Sequence, residues 1–148
     1  MYISSPWVAV VDDEAPVRRA LYRLLRSAGI EARTFAGGAA FLDAIAGRGP
    51  CGEAYDEPDG EPCGAPRGQP FCVVLDLHMP GLSGLVVLER LAREAPAIAV
   101  IVVTGDDSAL LRQQAMRNNP LSYLNKPISD QSLLGAVTLA ARRADWSE

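Results

Sequence analysis

Lysine is almost missing from this 148-residue chain: thirteen of its fourteen basic residues are arginine, and the exception is Lys126, inside Asn125-Lys126-Pro127. Histidine occurs once, at position 78, and cysteine only at positions 51, 63 and 72. Three irregularly spaced thiols imply no disulfide framework. Long hydrophobic runs are absent too. The longest, Ala97 to Val103, is well short of the ~20 residues that a bilayer-spanning helix needs. The start, Met1-Tyr2-Ile3-Ser4, has neither the basic opening nor the apolar centre of a signal peptide. A cytoplasmic protein without membrane contact is therefore expected. The chain also lacks a basic excess, with a formal net charge of -4, and no basic stripe appears. Direct nucleic-acid binding is accordingly not expected, because it needs such a stripe.

What the chain does contain is ordinary for a globular protein: 49% hydrophobic and 22% charged residues. Its length suits one domain, residues 1–148, with a core that needs no disulfide or metal staple. Trp7 to Val11 is a short apolar run without alternation, which fits a strand buried on both faces of a parallel sheet. Pro16 suits the start of a helix that carries Val17, Leu21, Leu24, Leu25 and Ala28 on one side and ends at Gly29. Glu31 to Phe35 reads as a weaker strand, and Gly38 to Ala46 as a helix with Phe41, Leu42 and Ile45 on one face. From 47 to 70 the composition changes to six Gly, five Pro, five acids and little that is large and apolar. Such a stretch cannot bury enough surface to order itself, and it is read as a surface insertion.

Order returns at Phe71 to Leu75, a third strand ending at Asp76. A turn-rich stretch, Met79 to Gly84, leads into a helix from Leu85 to Glu94, with Leu85, Leu88 and Leu91 at helical spacing. Ile98 to Val103 is a strand ending at Thr104, Ser108 to Arg117 a helix, and Ser122 to Leu124 a strand leading to Lys126. Ser129 or Asp130 caps a last helix, with Leu133, Leu134, Val137 and Leu139 to Ala141 available for packing. Strand and helix alternate, so a parallel sheet with helices on both faces follows. Ligands in such folds bind beyond the carboxyl ends of the strands. Asp12, Asp13, Asp76, Thr104 and Lys126 all lie just past strand ends and should meet at one edge.

That set of groups has a definite chemistry. Clustered carboxylates repel one another unless a cation shares the site, and hard oxygen ligands suit Mg²⁺. A carboxylate can also attack phosphorus and form an aspartyl-phosphate. The main demand of phosphoryl transfer is that charge on the equatorial oxygens be neutralised. A cation, the Lys126 ammonium and the Thr104 hydroxyl would each face one of those oxygens. Asp76, alone at the central strand, is the nucleophile candidate, and Asp12 and Asp13 are read as metal holders. A helix cap needs only one oxygen, so capping leaves one of the paired acids unexplained. A composition so rich in arginine also marks the surviving lysine as a position that wants a compact, flexible point charge instead of a planar fork.

Asp12-Asp13, Asp76 followed by Met79-Pro80-Gly81, Thr104-Gly105 and Lys126-Pro127 resemble the receiver domain of two-component response regulators, in the flavour of nitrogen-fixation and LuxR-type regulators. The resemblance covers the chain apart from the insertion. It implies a flavodoxin-like, doubly wound, five-stranded parallel sheet of order 2-1-3-4-5. It further implies that Asp76 accepts phosphate from a sensor histidine kinase or a phosphotransfer protein. Mg²⁺ would be held by Asp13, Asp76 and the main-chain carbonyl of His78, with Asp12 acting through water. Thr104 and Tyr123 would form a switch pair, and Lys126-Pro127 would be a cis bond. Such a module is not an enzyme beyond its own dephosphorylation, and it signals to a downstream protein partner. The output face would be the fourth helix, fifth strand and fifth helix, which also leaves a homodimer open.

Several positions carry two readings. Cys51 and Cys63 suit either a redox or metal pair or a plain acidic loop, while Cys72 reads as core. His78 and Asp106 would tune the phosphate's lifetime, or merely supply a carbonyl and a helix cap. Tyr123 is a switch residue or an ordinary strand aromatic. Pro120, in Asn118-Asn119-Pro120-Leu121, suggests an altered approach to the fifth strand. At the level of function, the reading is a stand-alone regulator. The excised receiver of a DNA-binding transcription factor is the alternative. A haloacid-dehalogenase-like phosphatase would need a second acid two residues after the nucleophile, where this chain has His78. A receiver that binds partners without phosphorylation would not need the intact acids, hydroxyl and lysine.

Overall fold

The structure is a computed structural model and describes residues 6–49, 52, 68–105 and 108–146. Among them, five strands alternate with five helices: β1 (Val8–Val11), α1 (Ala15–Ser27), β2 (Ala32–Phe35), α2 (Gly38–Ile45), β3 (Cys72–Asp76), α3 (Gly84–Glu94), β4 (Ala99–Thr104), α4 (Ala109–Met116), β5 (Ser122–Asn125) and α5 (Asp130–Trp146). The strands form one parallel sheet of order β2-β1-β3-β4-β5. This is the doubly wound, flavodoxin-like arrangement expected from the alternation and the motifs.

Successive residues of a strand point to opposite faces, and here both faces are covered. Ala9, Val11, Val73, Leu75, Val100 and Val102 face one buried cluster with Phe41, Val87, Leu88 and Leu91 of α2 and α3. Val8, Val10, Cys72, Val74, Ile101 and Val103 face the other, with Leu21, Tyr22 and Leu25 of α1 and Leu133, Val137 and Ala140 of α5. That double burial is why β1, β3 and β4 read as continuous apolar runs. β2 is also buried along its whole length, including Arg33 and Thr34. Its composition alone made it the weaker expectation.

Two packing stripes differ from the sequence reading. In α3 the buried side is Gly84, Val87, Leu88 and Leu91, with Leu85 only partly buried. In α5 the buried residues Leu133, Ala136, Val137 and Ala140 define a stripe at i, i+3, i+4, i+7. Leu139 falls off that stripe and is 47% exposed, so it does not pack as expected. The Ser129 hydroxyl, one of the two expected caps, accepts from the Ser132 N–H at 3.0 Å. Asn119, before Pro120, has a φ of 51°, a conformation that Asn tolerates better than most residues. β5 nonetheless pairs in register with β4, from Ile101 opposite Ser122 to Thr104 opposite Asn125.

Most of the 47–70 stretch lies outside the described residues, as do Cys51, Cys63, Asp106 and the last two residues. Gly52 is described and lies against β2, where an added Cβ would come within 2.7 Å of the Thr34 carbonyl oxygen. Cys72 is fully buried, and burial pushes its thiol up to about 12. No helix among the described residues is long and apolar enough to cross a membrane.

Candidate functional site

Register carries the strand ends to one edge. Asp76, the last residue of β3, lies opposite Val103, and Asp12 follows directly on β1. The last two carbonyls of β4 then fix the loops on either side. Val103 O accepts the Leu77 N–H at 3.1 Å, and Thr104 O accepts the Lys126 N–H at 2.8 Å. One strand end thus holds the backbone beside the proposed nucleophile and the backbone of the single lysine. The Lys126-Pro127 bond is cis, as the resemblance implied.

Lys126 reaches across this edge. Its Nζ lies 3.1 Å from Asp12 Oδ2, 3.4 Å from Asp76 Oδ2 and 3.5 Å from Glu14 Oε1. Asp12 and Asp76 are nearly sealed from solvent, at 2% and 3% exposure. A buried carboxylate needs hydrogen bonds or a counter-charge, and each has both. Asp12 Oδ1 accepts the Glu14 N–H at 2.9 Å, and Asp76 Oδ1 accepts the His78 N–H at 3.1 Å. On the far side, Arg18 donates to the Asp12 carbonyl at 2.8 Å.

Burial raises the Asp76 carboxyl above its ordinary pKa. The His78 N–H and Lys126 pull it down, while the neighbouring Asp12 adds to the rise. For Lys126, burial works against the ammonium, but the hydrogen bonds and charges of Asp12 and Asp76 outweigh it and the pKa is raised. The lysine therefore stays charged between the two carboxylates.

The paired acids do not serve as a helix cap. The N-cap of α1 is Glu14, and its side chain makes no capping hydrogen bond. Carboxylate oxygens of Asp12, Asp13 and Glu14 instead lie within 4.8 Å of one another, with Asp13 and Glu14 exposed. Asp76 stands beyond this triplet and is joined to it through Lys126. Three acids meet one ammonium and Asp13 adds a fourth carboxylate beside them, which leaves an excess of negative charge, and the donors are all hard oxygens. That set fits Mg²⁺ or a similar ion.

Two contributors to this edge carried no functional signal in the sequence. Glu14 follows two other acids at a helix start and has no mark of its own. Gly84 looked like a turn residue, yet its Cα sits directly against the backbone at the end of β3. A Cβ there would strike the Asp76 carbonyl and come within 2.6 Å of Leu77 Cα, and the Gly84 N–H donates to Leu77 O at 3.2 Å. The start of α3 can pack this tightly under Asp76 only without a side chain.

Thr104 is fully buried at the end of β4. Tyr123 lies opposite Val102, packed toward the α2–α4 face, with its hydroxyl buried and Arg112 of α4 5.2 Å from its ring centre. His78 is exposed beside the site. An apolar groove of about 510 Å³ adjoins Lys126, lined by Pro16, Val17, Ala20, Leu21, Pro127 and Ile128.

The family model of the response regulator receiver domain matches residues 64–138. This chain belongs to that family. The matched span carries Asp76, Thr104 and Lys126, while Asp12 and Asp13 follow directly on β1, ahead of it. Transcriptional regulatory protein FixJ of Azorhizobium caulinodans is 35% identical over 137 residues, 93% of this chain and 56% of that protein. Nodulation protein W of Bradyrhizobium diazoefficiens is 34% identical over 136 residues, 92% of this chain and 51% of that protein. The receiver thus spans about half the length of these curated relatives. Among solved structures, a response regulator receiver protein from Burkholderia phymatum superposes with a TM-score of 0.69 at 37% identity, covering 92% of this chain and 94% of that one. A CheY-like receiver from Methanospirillum hungatei gives 0.79 at 18% identity, covering 98% and 100%, which speaks for the fold alone.

Proposed function

We propose that this receiver is a phosphorylation-controlled signalling module in which Asp76 accepts a phosphoryl group from the phosphohistidine of a sensor kinase or phosphotransfer protein. The P–N bond of the donor breaks, its electron pair leaves on the imidazole, and a P–O bond forms to an Asp76 carboxylate oxygen. The observation that carries this reading is the Lys126 ammonium held between the buried carboxylates of Asp12 and Asp76. Burial limits competing solvent and strengthens each charge interaction at the reacting oxygen. The same edge is proposed to hold Mg²⁺, with Asp13, Asp76 and the His78 main-chain carbonyl as ligands and Asp12 through water. That ion would supply charge neutralisation at the transferring group. Lys126 faces another phosphoryl oxygen, and the Thr104 hydroxyl a third.

Thr104 and Tyr123 then relay the change. Movement of the hydroxyl toward the phosphoryl group at the end of β4 alters the packing of Tyr123 under Arg112, and with it the face of α4, β5 and α5. A downstream protein, or a second copy of the receiver, reads that face. The apolar groove between α1 and Ile128 adjoins the reacting edge, and it suits the helix of a donor protein better than a small charged molecule. The likeness to transcriptional regulators supports an output in gene control, exerted through protein contact and not through base contacts by this domain.

Incubation with acetyl phosphate and Mg²⁺, followed by intact mass, tests the reading. The expected result is a phosphate adduct on the wild type and none on Asp76→Asn. No adduct together with no Mg²⁺ affinity would point to a receiver that works without phosphorylation. Turnover of small phosphate esters, lost in the same variant, would point to a phosphatase.

A further inference from the structure

Glu14 has no part in the phosphoryl transfer proposed above, yet its carboxylate lies among the groups that carry it out. Its backbone is fixed at both ends: the N–H donates to Asp12 Oδ1 at 2.9 Å, and the carbonyl accepts the Arg18 N–H at 3.0 Å. The carboxylate does not cap α1. It points to Lys126 Nζ, 3.5 Å away, from the open side of the site. Its side chain is 61% exposed, against 3% for Asp12 and for Asp76.

We propose that Glu14 is a positioning residue for Lys126, an outer anchor that takes up the ammonium when a divalent cation enters the acidic edge. The inference rests on the cation site proposed above. In the resting arrangement Nζ occupies the space between Asp12 and Asp76, whose carboxylates a cation would share. Two positive centres cannot hold the same oxygens without strong repulsion. The Lys126 backbone is tied to Thr104 O at 2.8 Å, so relief must come from its flexible four-carbon stem. Outward, toward solvent, Glu14 is a carboxylate that the ammonium already meets, at 3.5 Å. A small swing exchanges the two aspartates for Glu14 and leaves the ammonium paired. Glu14 thereby lowers the cost of admitting the cation, and it keeps Lys126 at the mouth of the site, where a phosphoryl group would next need it.

A double-mutant cycle on the unphosphorylated protein tests this, with Mg²⁺ affinity read by titration calorimetry for wild type, Glu14→Gln, Lys126→Met and the double variant. Glu14→Gln should weaken Mg²⁺ binding about fivefold in the wild-type background, the scale of one charge pair near a protein surface. With Lys126 already removed, the same change should cost clearly less, since only the direct attraction between an exposed carboxylate and the cation is then lost, and not the anchoring of the ammonium. Lys126→Met alone should tighten Mg²⁺ binding. Lys126→Gln replaces it if the methionine variant does not melt cooperatively. Equal weakening in both backgrounds would overturn the proposal, because Glu14 would then act as a plain negative charge or ligand. No weakening in either would overturn it too. A wild type that binds no Mg²⁺ would remove the cation site itself, and with it both readings.

Discussion

The interiors of β1, β3 and β4 and the polar residues Asp12, Asp76 and Thr104 at their ends are about equally buried, but they obey different rules. The interiors are apolar side chains packed on both faces of the sheet. Each gains its place through area removed from water, roughly 25 cal/mol per Å², and a neighbour of similar size serves almost as well. The ends hold Asp12, Asp76 and Thr104, all nearly or fully buried and all polar. These residues have no such tolerance: Asp12 and Asp76 are each held by a backbone N–H and by one ammonium, and the Thr104 carbonyl by the Lys126 N–H. The fold spends its redundancy in the strands and keeps none at the edge. Stability should therefore track the interiors, and phosphoryl chemistry the ends.

Gly84 is where that division should fail most severely, since it belongs to the core of α3 and also supports the edge. Gly84→Ala should destabilise the domain by several kcal/mol, because a backbone clash offers no side chain to move aside. It should also abolish phosphate acceptance. Denaturant unfolding and the acetyl phosphate reaction check both. A variant that keeps one property and loses the other would restore a clean separation.

Asp76→Asn should move the two properties in opposite directions. The folded-state pKa of Asp76 is raised, so its contribution to stability is fully present below the unfolded-state pKa and is lost as pH rises through the folded one. At neutral pH without Mg²⁺, the ionised group costs stability that asparagine does not. The variant should show a Tm a few degrees higher, on a scale where ~1 kcal/mol moves Tm by about 4 °C. The gain should shrink as pH falls through the carboxylate range, while phosphate acceptance is lost at every pH. A lower Tm at neutral pH would mean that Asp76 is a net structural asset. Ile101→Val should show the smallest effect. It removes one methylene from the fully buried middle of β4, costs about 0.5–1.5 kcal/mol, and should leave the rate of phosphorylation unchanged. A changed rate would mean that packing in the strands sets the geometry of the edge directly.

The same contrast explains what could be read from the chain. Strands buried on both faces announce themselves as unbroken apolar runs, so β1, β3 and β4 were legible, and Asp12, Asp76, Thr104 and Lys126 stood out as the polar residues that end such runs. β2 was weaker because Arg33 and Thr34 look exposed in sequence, although the fold buries both. Leu139 misled because its apolar character suggests packing, while the α5 stripe of Leu133, Ala136, Val137 and Ala140 excludes it. Gly84 could not be recognised, since its constraint comes from the backbone of Asp76 and Leu77, residues brought under it by the turn. Glu14 was hidden for the opposite reason: an acid after two acids has no local mark, and its meaning depends on Lys126, which arrives from β5.

The central claim is that phosphate is accepted at Asp76 and nowhere else on this acidic edge. Borohydride reduces an aspartyl-phosphate to homoserine, which fixes the position of the label. After reaction with acetyl phosphate and Mg²⁺, reduction and peptide mapping should convert residue 76 alone and leave Asp12, Asp13 and Glu14 as carboxylates. Homoserine at position 12 or 13, with Asp76 intact, would contradict the account.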